Sequence, residues 1–218
     1  MSSTTSHPPV VVSGAAASVF VLAWIGGLLT PIPDIPAGMD AATIDALASG
    51  SGPLLIQVIL VHGIAGLALA LLVLAVAGRS RVPSAVRVLG ILAAALSFGQ
   101  LACEFVVWSG SNPGEADSWW TAALRIDGAK MLVIAALMVL LLRRTRVVAS
   151  VTLLAAVSIA VSAIGYLLLH PGLMSVAFVS LPLLLVWAAL TGWLPGRLPA
   201  RPGRVQASPR VEPTAPKR

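Results

Sequence analysis

Charge is scarce in this chain. Only 10% of its 218 residues are Asp, Glu, Lys or Arg, against about 25% in soluble domains. Too few polar side chains remain to cover a water-exposed surface. Cysteine is nearly absent as well. Cys103 stands alone, so no intramolecular disulfide can form and no cysteine cluster can hold zinc or an iron–sulfur centre. It lies in an apolar segment and reads as a small buried hydrophobe. The N-terminus has no Lys or Arg ahead of its first apolar run, 10–30. That run also exceeds the roughly 7–15 residues of a signal-peptide core, so it is expected to persist as a span. The chain contains no P-loop, HExxH, GxSxG or dinucleotide fingerprint. Nothing therefore points to an enzyme, and no catalytic residue, metal ligand set or cofactor is assigned.

Apolar sequence is what the chain has in quantity. Hydrophobic residues make up 58% of it, and the mean hydropathy is +0.96. A helix needs about 20 apolar residues to cross about 30 Å of hydrocarbon. Six segments meet that length: 10–30, 54–78, 86–108, 120–142, 147–169 and 173–194. The expected fold is an all-α, polytopic transmembrane bundle of six spans. The stretch 147–196 has no charge and is too long for one crossing. The tripeptide "HPG" at 170–172 divides it, since proline and glycine end a helix and turn the chain. Pro182 falls inside the last span, where a kink is expected.

The net charge of +6 belongs to topology. Twelve of the 14 Lys and Arg fall on one side: Arg79, Arg81 and Arg87, then Arg143, Arg144 and Arg146, then six in the tail 195–218. Asp34, Asp40, Asp45, Glu115 and Asp117 fall on the other. Basic loops stay in the cytoplasm, so both termini are expected there, in a multi-pass protein of a bacterial inner membrane. Trp108, Trp119 and Trp120 are expected at the outer interface and Trp193 at the inner one. No aromatic-interleaved basic face exists, which excludes nucleic acid as a partner. Segment 1–9 reads as a short cytoplasmic lead-in. The tail 195–218, with six prolines and six basic residues, reads as disordered and suited to anionic lipid headgroups. The outer loop 31–53 reads as a solvated connector, although Asp40 is placed to cap a short helix in "DAATIDALAS".

Within this apolar frame a few polar residues stand out. The uncharged run 131–142 has 12 residues, about 18 Å of helix, which is too short to cross. The fourth span must extend outward through Lys130 and Asp127. Counted from Arg143, these sit about 20 and 24 Å up the helix. Equivalent counts bring His62, Gln100, Glu104 and Ser162 into the same slab, with Tyr166 near its outer edge. Ser97, Gln100 and Glu104 share one helical face, as do Asp127 and Lys130. Ser158, Ser162, Tyr166 and His170 share another. An unpaired charge at such depth costs roughly 2.5–3.5 kcal/mol on insertion scales. The faces are therefore expected to meet, with Glu104 the chief partner of Lys130 across the bundle, and Arg125 reaching toward the interface. The candidate site is His62, Gln100, Glu104, Asp127, Lys130, Ser162 and Tyr166.

Several roles suit such a cluster. It can be a structural knot of ion pairs in an accessory or scaffold protein. It can serve small-solute or proton-coupled transport, with the acids and His62 carrying protons. A haem- or quinone-binding role is the weakest. The plan slightly resembles haem A synthase and b-type cytochromes, but Asp127 stands where a second histidine would be required and His170 is out of register with His62. Residues 61–81, "VHGIAGLALALLVLAVAGRSR", align without gaps on 126–146, "IDGAKMLVIAALMVLLLRRTR". This suggests a parallel repeat of two hairpins with His62 and Asp127 in equivalent positions. The small residues Gly90, Ala94 and Gly99 suit close helix packing.

The segments "MDAATIDALASGSGPLLIQ", "LRIDGAKMLVIAALMV" and "LPLLLVWAALTGWL" resemble a broad group of uncharacterised six-span actinobacterial membrane proteins. The resemblance covers about residues 15–195 and implies a bacterial inner-membrane bundle. It transfers no ligand, partner or site residue. Homo-oligomerisation stays open.

Overall fold

The computed structural model describes residues 8–31, 40–48, 50–110, 114–142 and 145–194. Asp34, Arg143, Arg144 and the tail lie outside the described residues. Within them the fold is helical throughout. Helix α1 (Pro8–Leu29) is followed by the short α2 (Ala41–Ala48). A long second column begins as α3 (Gly52–Val58), passes through a π-helical segment (Ile59–Ile64), and continues as α4 (Ala65–Val76) and a single 3-10 turn (Ala77–Arg79). Then come α5 (Pro83–Trp108), α6 (Ala116–Leu140), α7 (Arg146–Leu168), the one-turn α8 (Pro171–Met174) and α9 (Ala177–Trp193).

Local sequence explains the breaks. Pro83 opens α5 at a position whose N–H would have no partner anyway. Helix α7 ends on Leu169 in the left-handed region, φ 54°. The His170 N–H then returns to the Gly165 carbonyl at 2.8 Å, which closes the helix end. Pro171 starts the next turn, and His170 Nδ1 accepts the Leu173 N–H across it. The divide read at "HPG" is therefore a capped turn. Helix α9 runs on through Pro182.

Five segments are long and apolar enough to cross a membrane: Val11–Leu29, Gly52–Arg79, Pro83–Trp108, Arg146–Leu168 and Pro171–Trp193. Helix α6 has 25 residues but carries Asp117, Arg125, Asp127 and Lys130. The helices also leave large apolar side chains exposed on their outer faces, among them Leu22, Leu67, Val88, Val157 and Phe178. Such a surface suits an apolar surrounding and not water.

The columns form a closed ring in chain order. Each packs on its sequence neighbours, from α1 through α4, α5, α6, α7 and α9, and α9 packs back on α1. The closure is polar and tight at one end. Ser13 Oγ donates to the Gly192 carbonyl at 2.9 Å, and Trp193 Nε1 to Ser18 Oγ at 3.2 Å. A Cβ added at Gly192 would overlap Ala17 Cβ. Arg79 spans the same end. Its Nη1 donates to the Thr191 carbonyl at 3.1 Å and its Nη2 to Ser13 Oγ at 3.3 Å. Nearby, Ser80 Oγ donates to the Leu140 carbonyl at 3.1 Å. The start of α1 and the ends of α4, α6 and α9 thus share one end of the ring.

The opposite end holds two corrections. Loop 31–53 is not all solvated connector. Asp40 Oδ1 accepts the Thr43 N–H at 2.8 Å and caps α2, whose Ile44 is fully buried with Leu54, Val58 and Val107. Burial of Ile44 supplies the anchor that a polar reading of the loop overlooks. The Thr43 hydrogen bonds hold the Asp40 carboxyl below its ordinary value. The cap is therefore complete at neutral pH and weakens only as pH falls through that lowered value. Trp108 does not face an interface. It is 1% exposed, edge-on to Trp120 with ring centroids 5.6 Å apart.

Arg79 joins α4 to both α1 and α9, so Arg79→Ala is expected to lower stability by about 1.5 kcal/mol. That is the low end for charged hydrogen bonds, because the side chain is half-exposed. Arg79→Lys restores only part of the loss, since an ammonium lacks the two-pronged geometry. Thermal unfolding in detergent measures both.

Candidate functional site

The second column carries the site's first histidine on a deformed turn. Residues Ile59–Ile64 are π-helical, a bulge that adds a residue and rotates the rest of the helix about its axis. His62 sits in this turn and is buried. Helix α5 supplies Gln100 and Glu104, one turn apart on its inner face, and α6 supplies Asp127 and Lys130. Gln100, Glu104 and Lys130 are buried, and the Asp127 side chain is 17% exposed.

Lys130 is the hub. Its Nζ lies 2.6 Å from Asp127 Oδ1, 2.7 Å from Gln100 Oε1 and 3.3 Å from His62 Nδ1. An ammonium has three hydrogens and no lone pair, so these three acceptors use every hydrogen it has. With Lys130 as the ammonium, His62 Nδ1 accepts and the imidazole hydrogen sits on Nε2. That nitrogen is 3.3 Å from Glu104 Oε1 and donates to it. Gln100 Nε2 donates to the same oxygen at 2.8 Å. One arrangement of hydrogens satisfies the whole set.

This corrects the expected pairing. Glu104 does not bond Lys130 directly. It reaches the ammonium through Gln100 and His62, because it stands one helical turn further from that level. Arg125 is exposed and lies outside the network. Ser162 is fully buried, yet its Oγ has no hydrogen-bond partner, so the structure does not bring it into the cluster. Ser158 Oγ donates to the Ala155 carbonyl, and His170 is exposed at the α8 turn. Both ring nitrogens of His62 are engaged, which removes the remaining support for a haem ligand there. Among the described residues, no group of three or more His, Cys, Asp or Glu is placed to hold a metal ion.

Beside the network lies a cavity of about 160 Å³. Phe20 and Trp24 of α1, Gly66 of α4, Ser97 of α5, Asp127 of α6, Tyr166 of α7 and Ser180 of α9 are among its lining residues. All six ring columns reach it, so it occupies the ring's interior. Two glycines let the helices close around this level. A Cβ at Gly66 would lie 2.7 Å from Ser97 Cβ, and one at Gly128 would lie 2.8 Å from the Ala163 carbonyl. Tyr166, a candidate from its spacing, joins the site as cavity wall. Trp24 and Phe20 escape the sequence reading, because an aromatic inside an apolar run carries no signal of which way it points.

The suggested repeat is uneven in structure. The residues around His62 form a π-helical turn, whereas those around Asp127 are ordinary α-helix. Gly128 makes a tight helix contact, whereas its aligned partner Gly63 meets only Leu101 at 3.6 Å. Of the small residues on α5, Gly90 is tight, with its added Cβ 2.6 Å from Val73, and Gly99 is loose at 4.0 Å. No family model matches the chain, and no curated protein or solved structure does either.

Two substitutions separate the working bonds from the idle hydroxyl. Lys130→Met strands a buried carboxylate and amide and is expected to cost about 3–5 kcal/mol. Ser162→Ala removes a hydroxyl that has no partner and is expected to leave stability unchanged or raise it by up to about 1 kcal/mol. Denaturant or thermal titration of both proteins in the same detergent provides the check.

Proposed function

We propose that this chain is a six-span integral membrane protein that binds a small solute inside its helix ring and moves it across the membrane with proton coupling. The observation that carries this reading is the interior cavity, lined from every column, with the Asp127–Lys130 pair in its wall. Small-molecule sites combine mostly apolar walls with a few placed polar groups, and intramembrane charges tend to mark solute or proton paths. The volume is close to the roughly 150 Å³ that accommodates a benzene-sized molecule in an apolar cavity. The solute is therefore small.

The sixth crossing and the orientation belong to the same proposal. Helix α6 starts beside the Trp108 end of the ring and finishes at Leu140, beside Ser80. It runs the same height as its neighbours, and its buried charges are paired inside the bundle. Arg79, Arg81 and Arg146 lie toward the end that holds the start of α1 and the finish of α9, which by the basic-loop rule is cytoplasmic. A bacterial cytoplasmic membrane and membership of the actinobacterial group are part of the proposal. So are the cytoplasmic lead-in and the lipid-associated basic tail.

A second reading has an observation of its own. The polar network satisfies itself, as a structural lock between the second column, α5 and α6 would. Access to the cavity separates the two. In a Cys103→Ser background, Ser97→Cys and Ser180→Cys are expected to react with a small hydrophilic thiol reagent applied to proteoliposomes. Transported solute should then slow the labelling. A cavity thiol that never reacts, together with no solute uptake, would leave the lock reading standing.

A further inference from the structure

The hydrogen bonds around Lys130 fix more than its position. Its three hydrogens are taken by Asp127, Gln100 and His62. The cavity wall therefore holds an ammonium with nothing left to offer an anion. The carboxylates are in excess. Asp127 and Glu104 carry two negative charges, Lys130 carries one positive charge, and His62 is neutral because its Nδ1 accepts. The set is one positive charge short. Arg125 is exposed at the rim and does not make up the difference inside.

No other element supplies the missing charge among the described residues. On α5, the group next to Glu104 is the thiol of Cys103. Tyr166 of α7 lies within the field of both carboxylates and is neutral or negative, never positive. Helix α2, packed over the outer parts of α5 and α6, carries only Asp45, a further acid. Helices α1 and α9 contribute Phe20, Trp24 and Ser180 to the cavity, none of them charged. An uncompensated charge in an apolar bundle is costly, and two things can supply the compensation. A proton can sit on the Glu104 carboxyl, which accepts from Gln100 and His62 at Oε1 and, unlike Asp127, does not touch the ammonium. Alternatively a cation can enter the cavity beside Asp127, where Phe20, Trp24 and Tyr166 line the wall.

We propose that the ring interior is a site for a small monovalent organic cation, a protonated amine or quaternary ammonium. This cation, beside Asp127, and one proton, on Glu104, are alternative ways of balancing the network's one excess negative charge. When the cation enters, the O–H bond of protonated Glu104 breaks, the electron pair stays on the carboxylate, and the proton leaves to water. The cluster is neutral before and after, so exchange is one for one. This rests on the solute-binding reading above and names the class of solute.

The test uses the full-length protein in lipid nanodiscs, titrated calorimetrically with tetramethylammonium chloride and with sodium acetate. Two buffers of different ionisation enthalpy, each at about pH 6 and about pH 8, report the protons exchanged. Tetramethylammonium is expected to bind and acetate not to. Affinity should rise with pH by up to about ten-fold per unit, with about one proton released per cation where the proton starts bound. Glu104→Gln keeps an acceptor for Gln100 and His62, and is expected to abolish both the proton release and the pH dependence. Should that variant fail to fold, the wild-type proton count and pH slope decide alone. Equal binding of acetate, or cation binding without proton release at either pH, overturns the proposal. If tetramethylammonium does not bind while another solute slows labelling at Ser97→Cys, this inference fails and the solute-binding reading stands. If the cavity thiols never react, no solute is taken up and tetramethylammonium does not bind, both fail.

Discussion

A single buried ammonium organises the interior of this protein. Lys130 is surrounded by apolar helices and has three hydrogens to place. Each goes to a different side chain: Asp127 on its own helix, Gln100 on α5, and His62 on the second column. Leaving any of them unpaired would cost more than most packing contacts return. The demand therefore fixes the rotation of three helices at one level. It also fixes the imidazole tautomer of His62, and through it the donor that Glu104 receives. The π-helical turn at Ile59–Ile64 fits this account, because the added residue re-aims His62 and turns the two parts of the helix relative to each other.

The second organising feature is closure of the ring. Ser13 Oγ and Arg79 Nη1 donate to the Gly192 and Thr191 carbonyls in the last turn of α9, Arg79 Nη2 donates to Ser13 Oγ, and Trp193 Nε1 donates to Ser18 Oγ, so the first column is tied to the last. The last turn of a helix presents carbonyls to its surroundings, and an arginine at the end of a neighbouring helix is well suited to meet them. Inside the closed ring part of the interior is left unfilled. At the level of Gly66 and Gly128 the helices come close, and the Ala- and Leu-rich core of Leu69, Leu72, Leu137 and Ile159 fills one half. The remaining space is the cavity beside Asp127.

The legibility of these features in the sequence depends on their range. A length count alone places Lys130 and Asp127 inside the bundle, because 12 apolar residues do not make a crossing. His62, Gln100 and Glu104 fall at matching heights by the same rise per residue, and all of them meet. Height along a helix is a local quantity, fixed by 1.5 Å per residue. Azimuth is not. Ser162 has the right height and spacing, but its hydroxyl finds no partner. Spacing puts Glu104 on Lys130, whereas it reaches the ammonium through two intermediaries. Its position near a helix end puts Trp108 at an interface, whereas it lies in a core under α2. In each case the missing information is which way a side chain faces relative to helices far away in sequence.

Composition and pattern by themselves determined the class of this protein. Scarce charge, long apolar runs and a one-sided distribution of arginines dictate apolar helices whose few charges must turn inward, since the solvation energy of each residue depends mainly on its own chemistry. Only the tertiary structure decided the closed ring, the π-helical turn, the hydrogen-bond order around Lys130 and the cavity on the ring's interior. These depend on the relative rotation and spacing of helices, which are settled by packing and hydrogen bonding among residues many tens of positions apart. An apolar run of leucine and alanine leaves those rotations open until the other helices are in place.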